Sequence, residues 1–587
     1  MFSELGVPVR SVNKVRLFPG RDRRGAPCIY AVMGQQAEDL FVLQIDPEMG
    51  SLRQFVSDVP GSNYPTAALM SRTGKLYIGA AYAGHLLCFD PDEEVLEDLG
   101  PINPGAAVFP CRIDEGPDGT IWIGSYGTAD LTSYDPETRR FTRYGSMDDV
   151  DMYNHPFVDA DGNVVCLIGV TRPHVVAFDP RTGERRTVGP VVEKGRGNLE
   201  LYRGKDWQLY IRSDLGNFRV RGLRAEPVDV LPDPEPEPTL PDGTRFSFSD
   251  AWDLTYRKLK LTRPDGRTQV FYLDYEASGS DIFCIHLGPD GCIYGSSVLP
   301  LHLFRYDPRD GSLTDLGRCS ISAGEAYSMA NFDGKMYIFS YPGARVSEYD
   351  PSRPYRFGEN PRDLGRIDDI SYRPRSALPG PLGRIWVASL PDYGMWGGPL
   401  SWYEPRTGRK GAYYRICGDA SCYTLAHLED QGLIAVGTNI SGGSGTRPKV
   451  DRAVLFLWDY GREEKVWEGT LDRPVHAFNS LIVGPDGRLY GTVKGGGPPE
   501  LFAFDPRSRK FTSQVPLPGE PLDLGLQVGP DGKIYGFTSS CIYRLEPSTP
   551  SLEVVVTAEG AFTVPGPILG KYIYFATGHR LRAVEVF

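Results

Sequence analysis

The sequence predicts an all-β fold built from two β-propellers in tandem, and three observations predict it. One motif recurs along the chain, as GPDGTIWIGSYGTADLTSYDPETRRF from Gly116, GPDGCIYGSSVLPLHLFRYDPRDGSL from Gly288 and GPDGRLYGTVKGGGPPELFAFDPRSRKF from Gly484. The Asp-Pro pair that ends its third strand first recurs at steps of 44, 45 and 44 residues. The 68 glycines and 50 prolines are typical of short strands joined by tight turns. Fixed periods of this length indicate repeat architectures such as propellers.

Each repeat is expected to form four short antiparallel strands. In the xPDG turn, proline presets φ at the first central position and glycine accepts a positive φ, so the turn joins an inner strand to a second strand. A third strand ends at the Asp-Pro turn, where proline interrupts the hydrogen-bonded ladder. A shorter and more polar fourth strand follows. Four such strands form one propeller blade.

Thirteen repeats are predicted, too many for one ring of four to eight blades. Two rings of six and seven blades, or two of seven, fit the count. The last repeat lacks a fourth strand, so we expect the N-terminal segment Ser3–Arg10 to pair with the C-terminal blade and to seal two sheet edges. One ring then holds both termini. The expected domains are 1–320 and 321–587, with an insertion at 227–250 that includes the proline-rich stretch Pro227–Pro241.

Composition limits the partners and the compartment. A net charge of −12 provides no diffuse basic field, so neither nucleic acid nor a membrane surface is expected as a partner. There is no run of about 18 apolar residues to span a bilayer. The first residues lack the features of a signal peptide, and several of the ten cysteines lie in apolar strand runs, as reduced thiols do. A cytoplasmic location is favoured, and secretion after processing stays open. A monomer or a small homo-oligomer is expected.

No metal motif is recognised. Cys417 and Cys422 in CGDASC lack the CxxC spacing of zinc sites. One aspartate in each xPDG turn is too few ligands for calcium. The sequence therefore assigns no metal ligand and leaves the cofactor unknown, with a cation held by histidines or a structural calcium ion still open.

Candidate site residues are expected at the rim of each ring, because the loop that enters each inner strand lies there. Positions four to eight before the xPDG turn carry tyrosine, histidine, arginine and asparagine, whereas carboxylates such as Glu325 are scarce. The loops after the second strands add Tyr126, Tyr341, Tyr393 and Lys494. Glycosidases ordinarily need two facing carboxylates, which this set does not supply.

These residue types favour β-elimination of a sugar that contains uronic acid. Arginine would neutralise the substrate carboxylate, while histidine or tyrosine would remove the neighbouring proton and protonate the leaving oxygen. The predicted catalytic residues are His155, Tyr153 and Tyr372. The predicted substrate-binding residues are Arg112, Asn154, Arg373, Arg375, Tyr64, His476 and Asn479. An acidic carbohydrate is the expected ligand.

The GPDGxxY…FDP repeat resembles the propellers of the streptogramin lyase group and is similar in style to seven-bladed polysaccharide lyases, including oligogalacturonate and ulvan lyases. The likeness covers nearly the whole chain at the level of the fold. It implies lyase activity with histidine, tyrosine and arginine at the channel mouth, sometimes with a metal held by histidines. Two alternatives remain: a glycoside hydrolase that acts in a cleft between propellers, and a non-catalytic binding or scaffold propeller.

Overall fold

The computed structural model describes residues 2–35, 37–105, 109–249, 254–547 and 551–587. The chain divides into two compact units: Ser11–Ser278, and a second unit that combines Met1–Arg10 with Gly279–Phe587. The inserted ring inferred from the two termini is therefore present. The division drawn from the sequence at residue 320 differs from this boundary by about one blade, because the blade that contains the Asp307 repeat packs with the C-terminal unit.

Six antiparallel sheets form the six-bladed unit, Ser11–Ser278, over its described residues. The chain begins with β1 (Phe2–Gly6) of the other unit and then enters the first of these blades. The blades are β2 (Lys14–Arg21), β3 (Pro27–Gly34), β4 (Phe41–Ile45) and β5 (Leu52–Val56); β6 (Tyr64–Met70), β7 (Leu76–Ala81), β8 (His85–Asp90) and β9 (Val95–Pro101); β10 (Phe109–Glu115), β11 (Ile121–Tyr126), β12 (Asp130–Asp135) and β13 (Arg140–Ser146); β14 (Tyr153–Val158), β15 (Val164–Gly169), β16 (His174–Phe178) and β17 (Arg185–Val188); β18 (Leu199–Arg203), β19 (Leu209–Ser213), β20 (Phe218–Arg221) and β21 (Arg224–Pro227); and β22 (Arg245–Phe248), β23 (Lys258–Thr262) and β24 (Thr268–Tyr272).

Seven four-stranded blades form the other unit, as far as its described residues show. They are β25 (Ile282–Leu287), β26 (Ile293–Ser297), β27 (His302–Tyr306) and β28 (Leu313–Arg318); β29 (Ala326–Phe332), β30 (Lys335–Ser340), β31 (Arg345–Tyr349) and β32 (Arg362–Arg366); β33 (Ser371–Pro379), β34 (Ile385–Pro391), β35 (Leu400–Glu404) and β36 (Arg409–Tyr413); β37 (Ser421–Leu428), β38 (Leu433–Asn439), β39 (Leu455–Asp459) and β40 (Glu464–Gly469); β41 (Ala477–Val483), β42 (Leu489–Lys494), β43 (Glu500–Asp505) and β44 (Lys510–Pro516); β45 (Gln527–Val528), β46 (Ile534–Phe537), β47 (Cys541–Leu545) and β48 (Leu552–Thr557); and β49 (Val564–Leu569), β50 (Tyr572–Thr577) and β51 (Arg580–Glu585), completed by β1. We call this the seven-bladed unit.

The N-terminal strand closes the C-terminal blade, as predicted. β1 pairs antiparallel with β51, with Phe2 opposite Val584 and Ser3 opposite Ala583. The Phe2 ring packs against Phe562 and Phe575, at centroid distances of 6.4 and 5.9 Å. This pairing supplies hydrogen-bond partners to the otherwise open edge of β51, and it completes the last blade with the N-terminal strand of the chain.

Apolar clusters between neighbouring blades hold each ring together. In the six-bladed unit, Ile29 and Phe41 of the first blade share one cluster with Leu259 and Leu261 of the sixth, which closes that ring. In the seven-bladed unit, Ile282 of its first blade packs with Leu581 of the last. Alternate strand residues supply both faces of every blade, so the core is divided among many interfaces between sheets.

The proline-rich stretch occupies the place of an inner strand without forming one. Leu240 N–H donates to Thr244 O and Gly243 N–H to Leu240 O, the same pattern that Gly116 and Gly119 make in the third blade. The segment before Leu240 therefore corresponds to an inner strand, but its alternating prolines remove the donors that a ladder requires. Its strand-like pairing among the described residues is limited to a bridge between Pro234 and Gly204 of the fifth blade. The sixth blade accordingly shows three described strands.

Helix is confined to three short 3₁₀ turns among the described residues: Leu254–Tyr256, Pro381–Gly383 and Glu429–Gln431. None of the helices in the described chain is long and apolar enough to cross a membrane. All ten cysteines are free thiols.

Candidate functional site

Three inner strands of the seven-bladed unit carry a bulge at the same position, and each of these three bulges presents an aromatic ring. The register shifts between Ala326 and Ser328, between Ser371 and Arg373, and between Cys422 and Thr424. The extra residues are Tyr327, Tyr372 and Tyr423. A bulge re-aims the side chain of the unpaired residue, so these rings gather at one end of the inner strands.

Arg373 lies inside a cage of tyrosines. Its guanidinium carbon is 4.6 Å from the ring centre of Tyr341, 6.0 Å from that of Tyr372 and 5.2 Å from that of Tyr393. Its Nη2 donates to the Tyr393 hydroxyl at 3.3 Å. We call Tyr341, Tyr372, Arg373 and Tyr393 the arginine cage. No carboxylate of the described chain forms an ion pair with Arg373, whose guanidinium is held by ring faces and by the Tyr393 hydroxyl.

Glu325 precedes β29 and lies beside this cage. Burial raises its pKa to about 7, although the nearby positive charge of Arg373 and a hydrogen bond from Tyr327 act in the opposite direction. Burial, followed by the charge of Glu325, also raises the pKa of Tyr327 to about 12. Near neutral pH, Glu325 is thus divided between its acid and base forms, while Tyr327 keeps its proton. A carboxyl group in this state suits proton transfer.

Asp523 joins three other blades next to the cage. Its carboxylate accepts from Lys494 Nζ at 2.6 Å, from the Tyr423 hydroxyl at 2.7 Å and from Arg375 Nη2. Arg375 also lies over the rings of Tyr327 and Tyr423, 5.1 and 4.8 Å from their centres. We call Arg375, Tyr423, Lys494 and Asp523 the Asp523 cluster. Burial opposes the ionisation of Asp523, but Arg375 and Lys494 outweigh it and lower its pKa.

Together the two groups form one site with an excess of positive charge. Arg375 and Lys494 contact the ionised carboxylate of Asp523, and Arg373 adds a third positive charge beside the partly protonated Glu325. The side chains stay accessible, since Arg373 is half-buried, Arg375 is 19% exposed and Asp523 is 25% exposed. An anionic group can therefore enter and contact Arg373 without displacing an existing ion pair.

The sequence-predicted residues of this unit are only partly brought together. Tyr372, Arg373 and Arg375 converge as expected. Asn479 does not, because its side chain is fully buried, donates to Pro521 O at 3.3 Å and accepts from Thr492 Oγ1 at 3.0 Å. It fastens two blades and offers no group to a ligand. His476 is exposed in the loop before β41, where its backbone N–H donates to Lys494 O.

The remaining predicted residues lie in the six-bladed unit and form a row of rings there. Tyr64 and Phe109 are 6.2 Å apart, Tyr126 and Tyr153 4.4 Å, and Tyr153 and His155 6.1 Å between ring centroids. Burial, and then the charge of Arg112, lower the pKa of His155 to about 4. Its imidazole is neutral at pH 7 and a weak base.

Two of the predicted substrate-binding residues near that row, Arg112 and Asn154, already donate hydrogen bonds to backbone carbonyl groups of the protein. Arg112 lies 3.7 Å from the ring centre of Phe157, and its Nε donates to Pro156 O at 3.0 Å. Asn154 is fully buried and donates to Asp130 O at 3.2 Å. Tyr153 and His155 lie in the six-bladed unit and Tyr372 lies in the seven-bladed unit, so the three predicted catalytic residues do not form one active site within a ring. The seven-bladed unit is therefore the better candidate site.

Sequence reasoning missed Asp523 and gave Glu325 no role. Asp523 lies eight residues before Asp531 of its xPDG turn, the same window that yielded the other rim residues, so the signal was present in the repeat alignment. No group of three or more His, Cys, Asp or Glu side chains in the described parts of the chain could hold a metal ion.

Comparisons with known proteins identify no family. No protein-family model matches the chain, and no curated protein matches it. One solved structure, assigned as the extracellular domain of a one-component system of B. thetaiotaomicron, is 11% identical with a TM-score of 0.37 and covers 100% of this chain and 82% of its own. Another, the extracellular domain of a hybrid two-component system of that organism, is 12% identical with a TM-score of 0.31 and covers 100% and 83%. Similarity this low carries no functional argument, and the lyase resemblance of the repeat stays a prediction.

Proposed function

We propose that the seven-bladed unit binds a uronic-acid-containing oligosaccharide or polysaccharide and cleaves it by β-elimination. One observation carries the proposal: Arg373, which forms no ion pair with a carboxylate of the described chain, lies beside Glu325, whose pKa burial raises to about 7. Neutralising a substrate carboxylate acidifies the adjacent C–H bond, and a base with a pKa near the operating pH removes that proton most efficiently.

Three residues of the site carry out the steps of the elimination. Arg373 binds the sugar carboxylate, and the faces of Tyr341 and Tyr393 keep its guanidinium in place. Glu325, in its ionised form, accepts the proton from the carbon next to the carboxylate. The C–H electron pair forms the new carbon–carbon double bond, and the bond from the next carbon to the leaving oxygen breaks. Tyr372, whose pKa is raised chiefly by burial, supplies the proton that the leaving oxygen takes.

The Asp523 cluster has a supporting role in this proposal. Arg375 and Lys494 are held by Asp523 and Tyr423, so they present a fixed positive field at the edge of the cage. A polysaccharide carries a second carboxylate on a neighbouring residue, and that field favours its approach. The aromatic rings offer flat faces for the sugars.

The test is incubation with a panel of polyuronates, followed by ultraviolet absorbance of the unsaturated product and by a reducing-end assay. Glu325→Gln is expected to lower kcat by about 10²-fold or more, as loss of a general base does. Tyr153→Phe in the six-bladed unit is the matched control and should leave the rate unchanged. Reducing ends without the absorbance would indicate a hydrolase, and an equal loss in both variants would contradict the assignment of the site.

A non-catalytic binding role is the second candidate. It is favoured by the ring faces of Tyr341, Tyr372 and Tyr393 around Arg373, because such a cage can bind a carboxylate and a sugar ring without breaking a bond. Saturable binding of polyuronates with no product under any condition, and with unchanged affinity in Glu325→Gln, would support this role over the lyase.

A further inference from the structure

A cavity of about 670 Å³ opens in the six-bladed unit, at the end of its first blade. Ala26, Cys28, Leu52 and Leu240 give it apolar walls, and four carboxylates stand around them. Arg53 also lines the cavity, but its guanidinium is paired with Glu94, outside the lining. The volume of the cavity is in the range of pockets that hold small molecules. None of its residues belongs to the sites described above.

Two of the four carboxylates have no cationic partner among the residues that the structure describes. Glu48 and Asp242 both pair with Arg263, at 2.9 and 3.2 Å. Asp22 and Asp46 form no ion pair with any described lysine or arginine. One oxygen of Asp22 accepts the N–H groups of Arg24 and Ala26, and the other accepts none from the described chain.

Asp46 and Gln44 repeat this arrangement. Oδ1 of Asp46 accepts the N–H groups of Glu48 and Met49, at 2.7 and 3.1 Å, and Oδ2 accepts none from the described residues. Gln44 lines the same cavity and is only 8% exposed. Its Nε2 donates to the Tyr30 hydroxyl at 2.9 Å, while its Oε1 has no donor in the described chain. The cavity therefore offers three oxygen acceptors that accept no hydrogen bond from the described chain.

An equivalent place in the seven-bladed unit shows what such acceptors bind. Asp307 occupies the same turn position as Asp46, since Asp307 N–H donates to Ser312 O as Asp46 N–H donates to Ser51 O. Arg305 lies opposite Tyr294, as Gln44 lies opposite Tyr30. There the protein supplies its own cations: Arg305 and Arg309 bind Asp307 at 2.8 and 2.7 Å.

The first blade of the six-bladed unit has glutamine and glutamate where those two arginines stand. Gln44 replaces Arg305 and Glu48 replaces Arg309 in the aligned turns. In the seven-bladed unit, guanidinium groups fill the space beside Asp307. In the six-bladed unit, the corresponding space beside Asp46 is part of the cavity. An amine or guanidinium hydrogen-bonds carboxylate and amide oxygens well, and an apolar body would cover Cys28, Leu52 and Leu240.

We propose that this cavity binds a small organic cation, a primary ammonium or guanidinium group attached to an apolar body. The charged end contacts Asp22, Asp46 and Gln44, as the arginines contact Asp307, and the apolar part packs on Leu52 and Leu240. This site is separate from the proposed lyase site and does not depend on it.

The test is calorimetric titration of the full chain with benzamidine and phenethylamine, and with neutral benzamide as the uncharged isostere. Asp46→Asn keeps the oxygen that accepts the two turn N–H groups and removes the charge. Asp135→Asn is the matched control, because Asp135 accepts the N–H groups of Glu137 and Thr138 in the corresponding turn of the third blade. Gln44→Arg places an arginine where Arg305 stands.

We expect saturable binding of at least one cation at one site per chain, weakened about tenfold or more by Asp46→Asn and unchanged in Asp135→Asn. Gln44→Arg should abolish binding, because its own guanidinium takes the place of the ligand. Absence of saturable binding of both cations, equal affinity in wild type and Asp46→Asn, or equal binding of benzamide would overturn the proposal.

Discussion

Glu325 illustrates how one residue gains a role that its sequence position does not reveal. It directly precedes an inner strand, and the fold buries it beside Arg373 and Tyr327. Desolvation outweighs the arginine and keeps the carboxyl half protonated near pH 7. The same carboxyl in an exposed loop would be a fully ionised and much weaker base. Its function in the proposal therefore depends on the packing of the surrounding blades.

The proposed base predicts the pH dependence of the reaction. Only ionised Glu325 can accept a proton, so kcat/KM should rise with pH and reach half of its plateau near pH 7. A pH–rate profile on the best polyuronate measures this. An activity that falls through pH 7 would contradict Glu325 as the base, because the protonated form would then be the active one.

The same shift predicts a change in stability with pH. The pKa of Glu325 is raised from its ordinary value of 4.5 to about 7 in the folded protein. Between these values the folded chain holds a proton that the unfolded chain has lost, so the unfolding free energy decreases as pH rises through this window. Glu325→Gln should flatten this part of the stability curve, as measured by thermal unfolding from pH 4 to pH 8. An unchanged slope would contradict the burial of this carboxyl.

Asp523 is expected to affect stability and ligand binding in opposite directions. Asp523→Asn leaves Arg375 and Lys494 without a counter-charge and should lower the unfolding free energy by about 1–3 kcal/mol. It also makes the site more positive, so the affinity for an anionic sugar should increase. Calorimetry and titration of one variant measure both. Glu553→Gln, which removes an exposed ion pair with Arg544, is the control and should change stability by less than about 1 kcal/mol.

At the scale of the element, the inner strands explain which rim residues could be predicted. The xPDG turn set the register of each repeat, so Tyr372, Arg373 and Arg375 were correctly placed at one end of an inner strand. The bulges could not be predicted, because an extra residue leaves no mark in an alternating pattern. They determine that Tyr327, Tyr372 and Tyr423 gather in the site, whereas Asn479, the extra residue of another bulge, is enclosed between two blades.

β1 is the element whose removal should matter most for the seven-bladed unit. It satisfies the edge of β51 and places Phe2 against Phe562 and Phe575. Phe2→Ala should lower the unfolding free energy of this unit by about 2 kcal/mol, less than for a fully buried phenylalanine. Calorimetric unfolding measures the loss. Met49→Ala, at a side chain that is 75% exposed in the other unit, should have no effect. Equal stability of both variants would contradict the closure.

At the scale of the whole molecule, the repeat predicted the number of blades and the two-ring organisation, while the boundary was predicted less well. The thirteen repeats correspond to six and seven described blades. The boundary lies near residue 278 and not at 320, since ring membership depends on which blades pack together and the repeat motif is common to both rings. The separation of His155 from Tyr372 follows from that membership. The spacing of the repeats contains no information about it.

Each unit closes its own ring, which predicts independent folding. Residues 11–278 expressed alone, and a permuted chain in which residue 587 is linked to residue 2 and the chain starts at residue 279, should both give cooperative thermal unfolding and the circular dichroism of β structure. The permuted chain should retain any polyuronate binding of the full protein. Loss of cooperative unfolding in residues 11–278 would contradict the closure of the six-bladed ring.

The central claim, that Arg373 binds a carboxylate in the seven-bladed unit, is tested most directly by titration with oligogalacturonate, oligoguluronate and oligoglucuronate and with their methyl esters. The account predicts that at least one free acid binds and that the affinity of its methyl ester is lower by about tenfold or more. Arg373→Met should reduce the affinity for the acid to that of the ester. Tyr153→Phe should bind as the wild type does. Equal binding of acid and ester, undiminished binding by Arg373→Met, or no binding of any free acid would contradict it.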